Sequence, residues 1–273
     1  MPKPCLKSKA HRDRHLIDKD RPVQFFKRAL SFTVRTSTLS SGKNSSRRFS
    51  SYGENVGGIF ITFEGIDGSG KSTQLRLLAS HLRLQGYDVV ATREPGGTTL
   101  GNRLRAALLD SQEHVDPLTE LLVFAADRAQ HVRILLRPAL ASDHIVLSDR
   151  YYDATVAYQG GGRGFSAQLI SEIVELATEG LRPDLTLLFD LSVTEGGART
   201  KRRTNEKRQG DRLDAEDAEF HARVRDAYLK IAAAEPDRVK VIETTGSVEE
   251  THARVKEVVG AFLKKREQVS ASA

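Results

Sequence analysis

Short apolar runs alternate along the chain with longer stretches of helical spacing. Residues 58–63 are apolar and end at Glu64-Gly65, which predicts a buried strand. Residues 72–84 place Leu75, Leu78, Ala79 and Leu82 on one helical face, and Gly86 supplies a stop. A second strand is predicted over 87–92. One long helix is predicted over 116–140, with Leu121, Leu122, Ala125, Ala129 and Val132 as its stripe. A third strand at 145–147 runs out into Ser148-Asp149-Arg150. A helix at 167–178, strands at 185–189 and 239–243 and a closing helix at 248–265 complete the pattern. Strands that alternate with helices predict an α/β fold: a five-stranded parallel sheet with helices on both faces.

Composition adds bounds. With 39% hydrophobic and 29% charged residues, the chain suits one sizeable core. No run of eighteen apolar residues occurs, so no membrane partner is expected. The one cysteine, Cys5, cannot close an internal disulfide, and a reducing compartment such as the cytoplasm follows as the expectation. The net charge of +6 is unevenly spread. Residues 1–57 hold 13 Lys/Arg against 4 Asp/Glu, and the remainder holds 29 against 32. No acid occurs between Arg21 and Gly53, and Ser and Arg dominate there. Residues 1–57 are therefore expected to be a disordered basic extension. An organellar transit peptide is the alternative reading, opposed by Asp13, Asp18 and Asp20. The expected domain covers 58–266, followed by a tail at 267–273. Its slightly acidic balance argues against a nucleic-acid partner.

The chemistry begins at Gly65-Ile66-Asp67-Gly68-Ser69-Gly70-Lys71-Ser72, followed by Thr73. This is a Walker A pattern between a strand and a helix. Its glycines let backbone N–H groups turn toward phosphate oxygens, and the helix adds its positive end. Lys71 is the cation for the β- and γ-phosphates of ATP. The Ser72 hydroxyl and the Asp149 carboxylate are the candidate Mg²⁺ ligands. A Walker A loop alone does not separate kinases from motors and GTPases. Three further clusters narrow the choice: Thr92-Arg93-Glu94-Pro95-Gly96-Gly97-Thr98, Phe124-Ala125-Ala126-Asp127-Arg128-Ala129-Gln130-His131, and Asp149-Arg150-Tyr151 continuing to Tyr158-Gln159-Gly160-Gly161-Gly162. Two of them follow strands, and ligands of open parallel sheets bind beyond the strands' carboxyl ends. Taken singly, Arg93-Glu94 reads equally as a surface ion pair, and Phe124 and Tyr158 as packing. The four together, in this order, are not explained that way.

With these motifs in place, residues 58–263 resemble a bacterial-type thymidylate kinase. The resemblance implies phosphorylation of dTMP to dTDP by ATP, with Mg²⁺, in a homodimer built through helices flanking the sheet. It implies that Phe124 stacks on thymine, that Arg128 bonds a thymine carbonyl and that Thr155 meets the base edge. Tyr158 would sit against the sugar, Arg150 would hold the monophosphate, and Asp67 would lie near the acceptor. Arg93, Glu94, Pro95 and Gln159 complete the implied substrate set. Two positions depart from the family pattern: Ala154, commonly Ser, and Gly68, where some relatives carry an arginine. Relatives without that arginine place cations in a lid. Here residues 199–214 are dense in them, and Arg203, Arg208 and Arg212 are the expected cations on the transferred group. Two alternatives remain at this point: another deoxynucleotide or deoxynucleoside kinase of this fold, or a nucleic-acid-stimulated NTPase.

Overall fold

The computed structural model describes residues 57–111, 113–207, 212–213 and 216–272, with backbone alone at 203–207 and 269–272. The expected disordered extension lies outside the described residues save for Gly57, as does Arg208. Five strands pair in the order β2-β3-β1-β4-β5, every pair parallel. They are β1 (Ile59–Glu64), β2 (Val89–Arg93), β3 (Ile145–Asp149), β4 (Leu185–Asp190) and β5 (Val239–Glu243). Both faces are covered, so strand residues are apolar on both sides. Ile61 and Phe63 of β1 face α1 (Lys71–Leu84) and α9 (Val248–Ser272), meeting Leu78, Leu82, Val255 and Val259. Phe60 and Val146 face the other way, onto Val132, Leu136 and Tyr151. Each such buried Phe or Leu stabilises by roughly 1.5–3 kcal/mol.

The register sets where function sits. Phe63 and Arg93 both pair with Asp149, so β1, β2 and β3 end level and release their following segments at one edge. From β1 the chain crosses to β2 and β3 on one side and later to β4 on the other. That reversal places the ligand crevice beside the end of β1.

Side-chain caps fix several helix starts: Thr98 on α2 (Thr99–Leu109), Asp116 on α3 (Pro117–His131), Ser166 on α6 (Ala167–Thr178) and Asp217 on α8 (Ala218–Ala234). The long helix expected at 116–140 is interrupted. A π-helical turn, Val132–Leu136, joins α3 to α4 (Arg137–Ala141). Pro138 has no N–H to donate, and the wider turn just before it absorbs that break. The segment after β3 is helical as well, with α5 (Tyr152–Thr155) passing into a second π-helical turn, Val156–Gly162. Gly162 is needed there: a Cβ would lie 2.5 Å from the Phe220 ring of α8. The cation-dense segment begins inside α7 (Val193–Lys207), and the closing helix continues to Ser272. Among the described residues, no helix is long and apolar enough to cross a membrane.

Candidate active site

A cleft of about 770 Å³ opens along the carboxyl edge of the sheet. Its floor is the loop between β1 and α1. Lys71, almost wholly buried, donates from Nζ to Gly65 O and Ile66 O, both at 2.8 Å, and approaches Ser69 Oγ at 3.4 Å. Burial first, and then the neighbouring Arg150, push its ammonium down to about 8. Ser72 Oγ donates to the Asp149 carboxylate at the end of β3. Residues 67–73 line the cleft, whereas Gly65 and Ile66 contribute through their carbonyls. Gly68 has φ +81°, and a Cβ on it would lie 2.6 Å from Gly196 O of α7. The arginine some relatives carry at this position would have no room without moving α7.

Arg150 follows β3 at φ +72° and turns its guanidinium under the same loop. Nη1 donates to Gly65 O and to Tyr228 Oη, each at 3.2 Å. Nη2 donates to Asp67 Oδ1 at 2.8 Å and Tyr158 Oη at 3.1 Å. The Tyr158 ring lies 4.8 Å beneath, a cation–π distance. Burial alone would raise Asp67, but Arg150 and then Lys71 outweigh it and hold the carboxyl well below its ordinary value. Tyr158 Oη donates to Asp67 Oδ2 at 2.9 Å, completing a tight set around Arg150.

Further along the cleft, Arg128 is fully buried and multiply bonded. Nε donates to Glu94 Oε2 (2.7 Å), Nη1 to Thr155 Oγ1 (2.8 Å) and Nη2 to Tyr151 O (3.0 Å). A planar guanidinium with so many fixed partners has a fixed orientation. Glu94 Oε1 also meets His131 Nδ1 at 2.8 Å, and His131 Nε2 meets Thr92 Oγ1 at 2.8 Å. Asp127 accepts from Gly96 N with both oxygens at 3.1 Å. Burial, then Glu94, push it up to about 7. Phe124, half-buried, exposes its ring to the cleft beside Arg128, Thr155, Tyr158 and Gln159. Arg93, Glu94 and Pro95 form the wall released by β2.

All ten residues expected at the acceptor side therefore line one cleft, together with Ser72 and Asp149. Ala154 lines it too, so a hydroxyl at that position would face the same space. The expected lid cations divide. Arg203 lies on α7, with its side chain outside the described residues, and Arg208 is outside them altogether. Arg212, expected on the transferred group, is paired here with Glu120: Nη2 donates to Glu120 Oε2 at 2.5 Å and Nε donates to Leu108 O at 3.3 Å. Glu120 is fully buried and collects Arg163 and Gln159 as well, so it has the charge to retain Arg212. The cation-dense run 199–214 includes Arg199 and Arg202 of α7, which also line the cleft, whereas Gly246, Ser247 and Val248 after β5 line it without a local sequence signal. The cluster Phe124–His131 marks the neighbourhood of Asp127 and His131 but not their bonds. Glu64 and Tyr228 carry no local signal of a role at the site.

The family profile described as thymidylate kinase matches residues 63–255. A thymidylate kinase of Exiguobacterium sibiricum is 45% identical over 214 residues, 78% of this chain and 99% of the relative. One from Geotalea uraniireducens is 47% identical over 209 residues, 76% of this chain and 98% of the relative. The crystal structure of the thymidylate kinase from Ehrlichia chaffeensis aligns with a TM-score of 0.62 at 37% identity, over 75% of this chain and 99% of that one. A Walker A loop, an arginine-rich cleft beside it and agreement across nearly the whole length of these relatives lead to one conclusion: the chain belongs to the thymidylate kinase family, the enzymes that use ATP to phosphorylate dTMP to dTDP.

Proposed function

We propose that this chain carries out that transfer with Lys71 and the loop 65–73 on ATP, and with Arg150 on the phosphate of dTMP. One observation carries the reading. Two cations from different elements, the buried Lys71 and the part-buried Arg150, both donate to a single oxygen, Gly65 O. Cations so close to each other repel unless anions sit between or beside them; Asp67 pairs with Arg150, and Asp149 also faces Lys71. Two phosphate groups meeting end to end are the ligands that such a pair of cations would grip from one side each.

The acceptor's own chemistry simplifies the mechanism. A phosphate monoester has a second pKa of about 6, so at neutral pH dTMP is mostly a dianion and already nucleophilic. No general base is needed. The protein's work is to hold two polyanions in line and offset their repulsion. Lys71 and Arg150 do this from below. Arg203, Arg208 and Arg212 of the segment 199–214 are assigned to the same charge. Phe124 offers an aromatic face to the thymine, with Arg128 and Thr155 at its edge and Gln159 beyond. Tyr158 sits where the sugar passes, and Arg93, Glu94 and Pro95 close the acceptor side.

Among the described residues, no group of three His, Cys, Asp or Glu forms a metal cage. Mg²⁺ rarely needs one. Ser72 and Asp149 offer a hydroxyl and a carboxylate, the hard oxygen donors that Mg²⁺ takes alongside substrate phosphates. Bound there, the ion would supply positive charge to the β- and γ-phosphates.

The function test is a phosphoryl-transfer assay with labelled ATP across dTMP, dUMP, thymidine and ribonucleotide monophosphates. The account expects dTMP to be the best acceptor and thymidine to be inert, since a neutral hydroxyl would need a base that this mechanism omits. Thymidine as the preferred acceptor would contradict it. Assembly follows from α3, whose Leu118 and Leu122 lie on one helical face and are 47% and 48% exposed. We propose that this face pairs with a second copy. Sedimentation at twice the 30.2 kDa chain mass is expected, and a monomer at micromolar concentration would refute it.

A further inference from the structure

We propose that Glu64 and Tyr228 are positioning residues that set Arg150 from both of its ends. Arg150 needs such control in both backbone and side chain. Its φ of +72° is a conformation that side chains other than glycine's seldom adopt, and it persists only where the surroundings determine it. The peptide groups on each side are held. Arg150 N donates to Phe63 O at 3.0 Å, Ser148 Oγ donates to Arg150 O at 2.8 Å, and Tyr151 N donates to Glu64 Oε1 at 2.7 Å. The guanidinium is held as well, where Nη1 meets Tyr228 Oη at 3.2 Å. Tyr228 Oη and Glu64 Oε2 then share a hydrogen bond of 2.7 Å.

One carboxyl group therefore closes a ring. Its first oxygen fixes the amide immediately after Arg150, and its second, through Tyr228, fixes the tip of the Arg150 side chain. Glu64 is wholly buried and Tyr228 nearly so, and neither side chain lines the cleft. Both act through Arg150 and not on a nucleotide. The proposal rests on the reading that Arg150 holds the acceptor phosphate.

The test is a double-mutant cycle on dTMP binding, measured by calorimetry with the full chain. Tyr228→Phe keeps the buried ring and removes only the hydroxyl. A hydrogen bond to a charged group is worth enough that its loss should weaken dTMP about tenfold. The KM for ATP and the melting temperature should stay near the parent's. In an Arg150→Ala background the same change should weaken dTMP no further. Glu64→Gln, which keeps the shape but reverses one hydrogen bond, should reproduce the selective loss of dTMP affinity. Equal losses with and without Arg150 would show that Tyr228 touches the nucleotide itself and would overturn the proposal. So would unchanged dTMP affinity in both single variants. If Arg150→Ala alone leaves dTMP affinity intact, the underlying assignment of Arg150 fails instead.

Discussion

Lys71→Ala is expected to lower kcat by about 10³-fold while leaving the fold intact, the scale seen when one preorganised charge is removed from a transferring phosphoryl group. The size follows from the setting of the side chain. Lys71 is 5% exposed, so its charge acts in a medium where water screens little. Its ammonium, pushed down to about 8 by burial and then by Arg150, still carries its proton at neutral pH. Its partners, Gly65 O and Ile66 O, are carbonyls of the loop itself, and phosphate oxygens are stronger acceptors than either. Alanine at the first residue of α1 suits a helix, so far-ultraviolet circular dichroism should not change. Steady-state turnover at saturating dTMP and ATP measures the effect, and turnover within tenfold of the parent would count against the assignment.

Arg150→Ala is expected to lower kcat/KM for dTMP by about 10²–10³-fold, with the KM for ATP changing little. The asymmetry is what matters. Arg150 contacts Asp67, Tyr158 and Tyr228, and its two Nη groups form a fork suited to a phosphate. Removing it also takes away the strongest support for the Asp67 charge, so that carboxyl would move up toward its ordinary range. Arg150→Lys should recover only part of the loss, because an ammonium is a point charge and cannot replace the fork. Initial-rate kinetics with each nucleotide varied in turn separates the two effects. Equal damage to both KM values would mean that Arg150 supports the loop and not the acceptor.

Much of this site was legible in the sequence because the relevant signals are local. The phosphate loop needs glycines and a lysine at fixed spacing, and a strand before it and a helix after it are readable from a dozen residues. The bounds of α6 and β5 also follow from nearby signals: Ser166 caps one, and alternation within 239–243 marks the other. Four helices escaped: α2, α5, α7 and α8. The stripe of α8, Phe220, Val224, Tyr228 and Ala232, is set among Arg223, Arg225, Asp226 and Lys230 and is only one residue wide. The stripe of α2 is short, with only Gly101, Leu108 and Leu109 buried. The π-helical turns were also illegible, since a helical period and a proline predict a break but not how the chain spans it.

Long-range partners were the main loss. Glu64 and Tyr228 are 164 residues apart, and Arg212 and Glu120 are 92 apart. Nothing in the residues near either one signals the other. A charge run read alone makes Arg212 a candidate for the phosphates, and only the fold shows that the buried Glu120 is also within its reach. Residues that touch nucleotides were easier to find than the residues that hold them in place, because a binding loop has a characteristic composition and a supporting hydrogen bond has none.

The most direct test compares nucleotide binding in the two variants side by side. Calorimetric titration of dTMP and of a non-hydrolysable ATP analogue into Lys71→Ala and Arg150→Ala should give opposite patterns. Lys71→Ala should lose affinity for the ATP analogue and keep dTMP, and Arg150→Ala should lose dTMP and keep the analogue. If both variants lose the same ligand, or neither loses any, the two cations do not hold separate phosphates and the account is wrong.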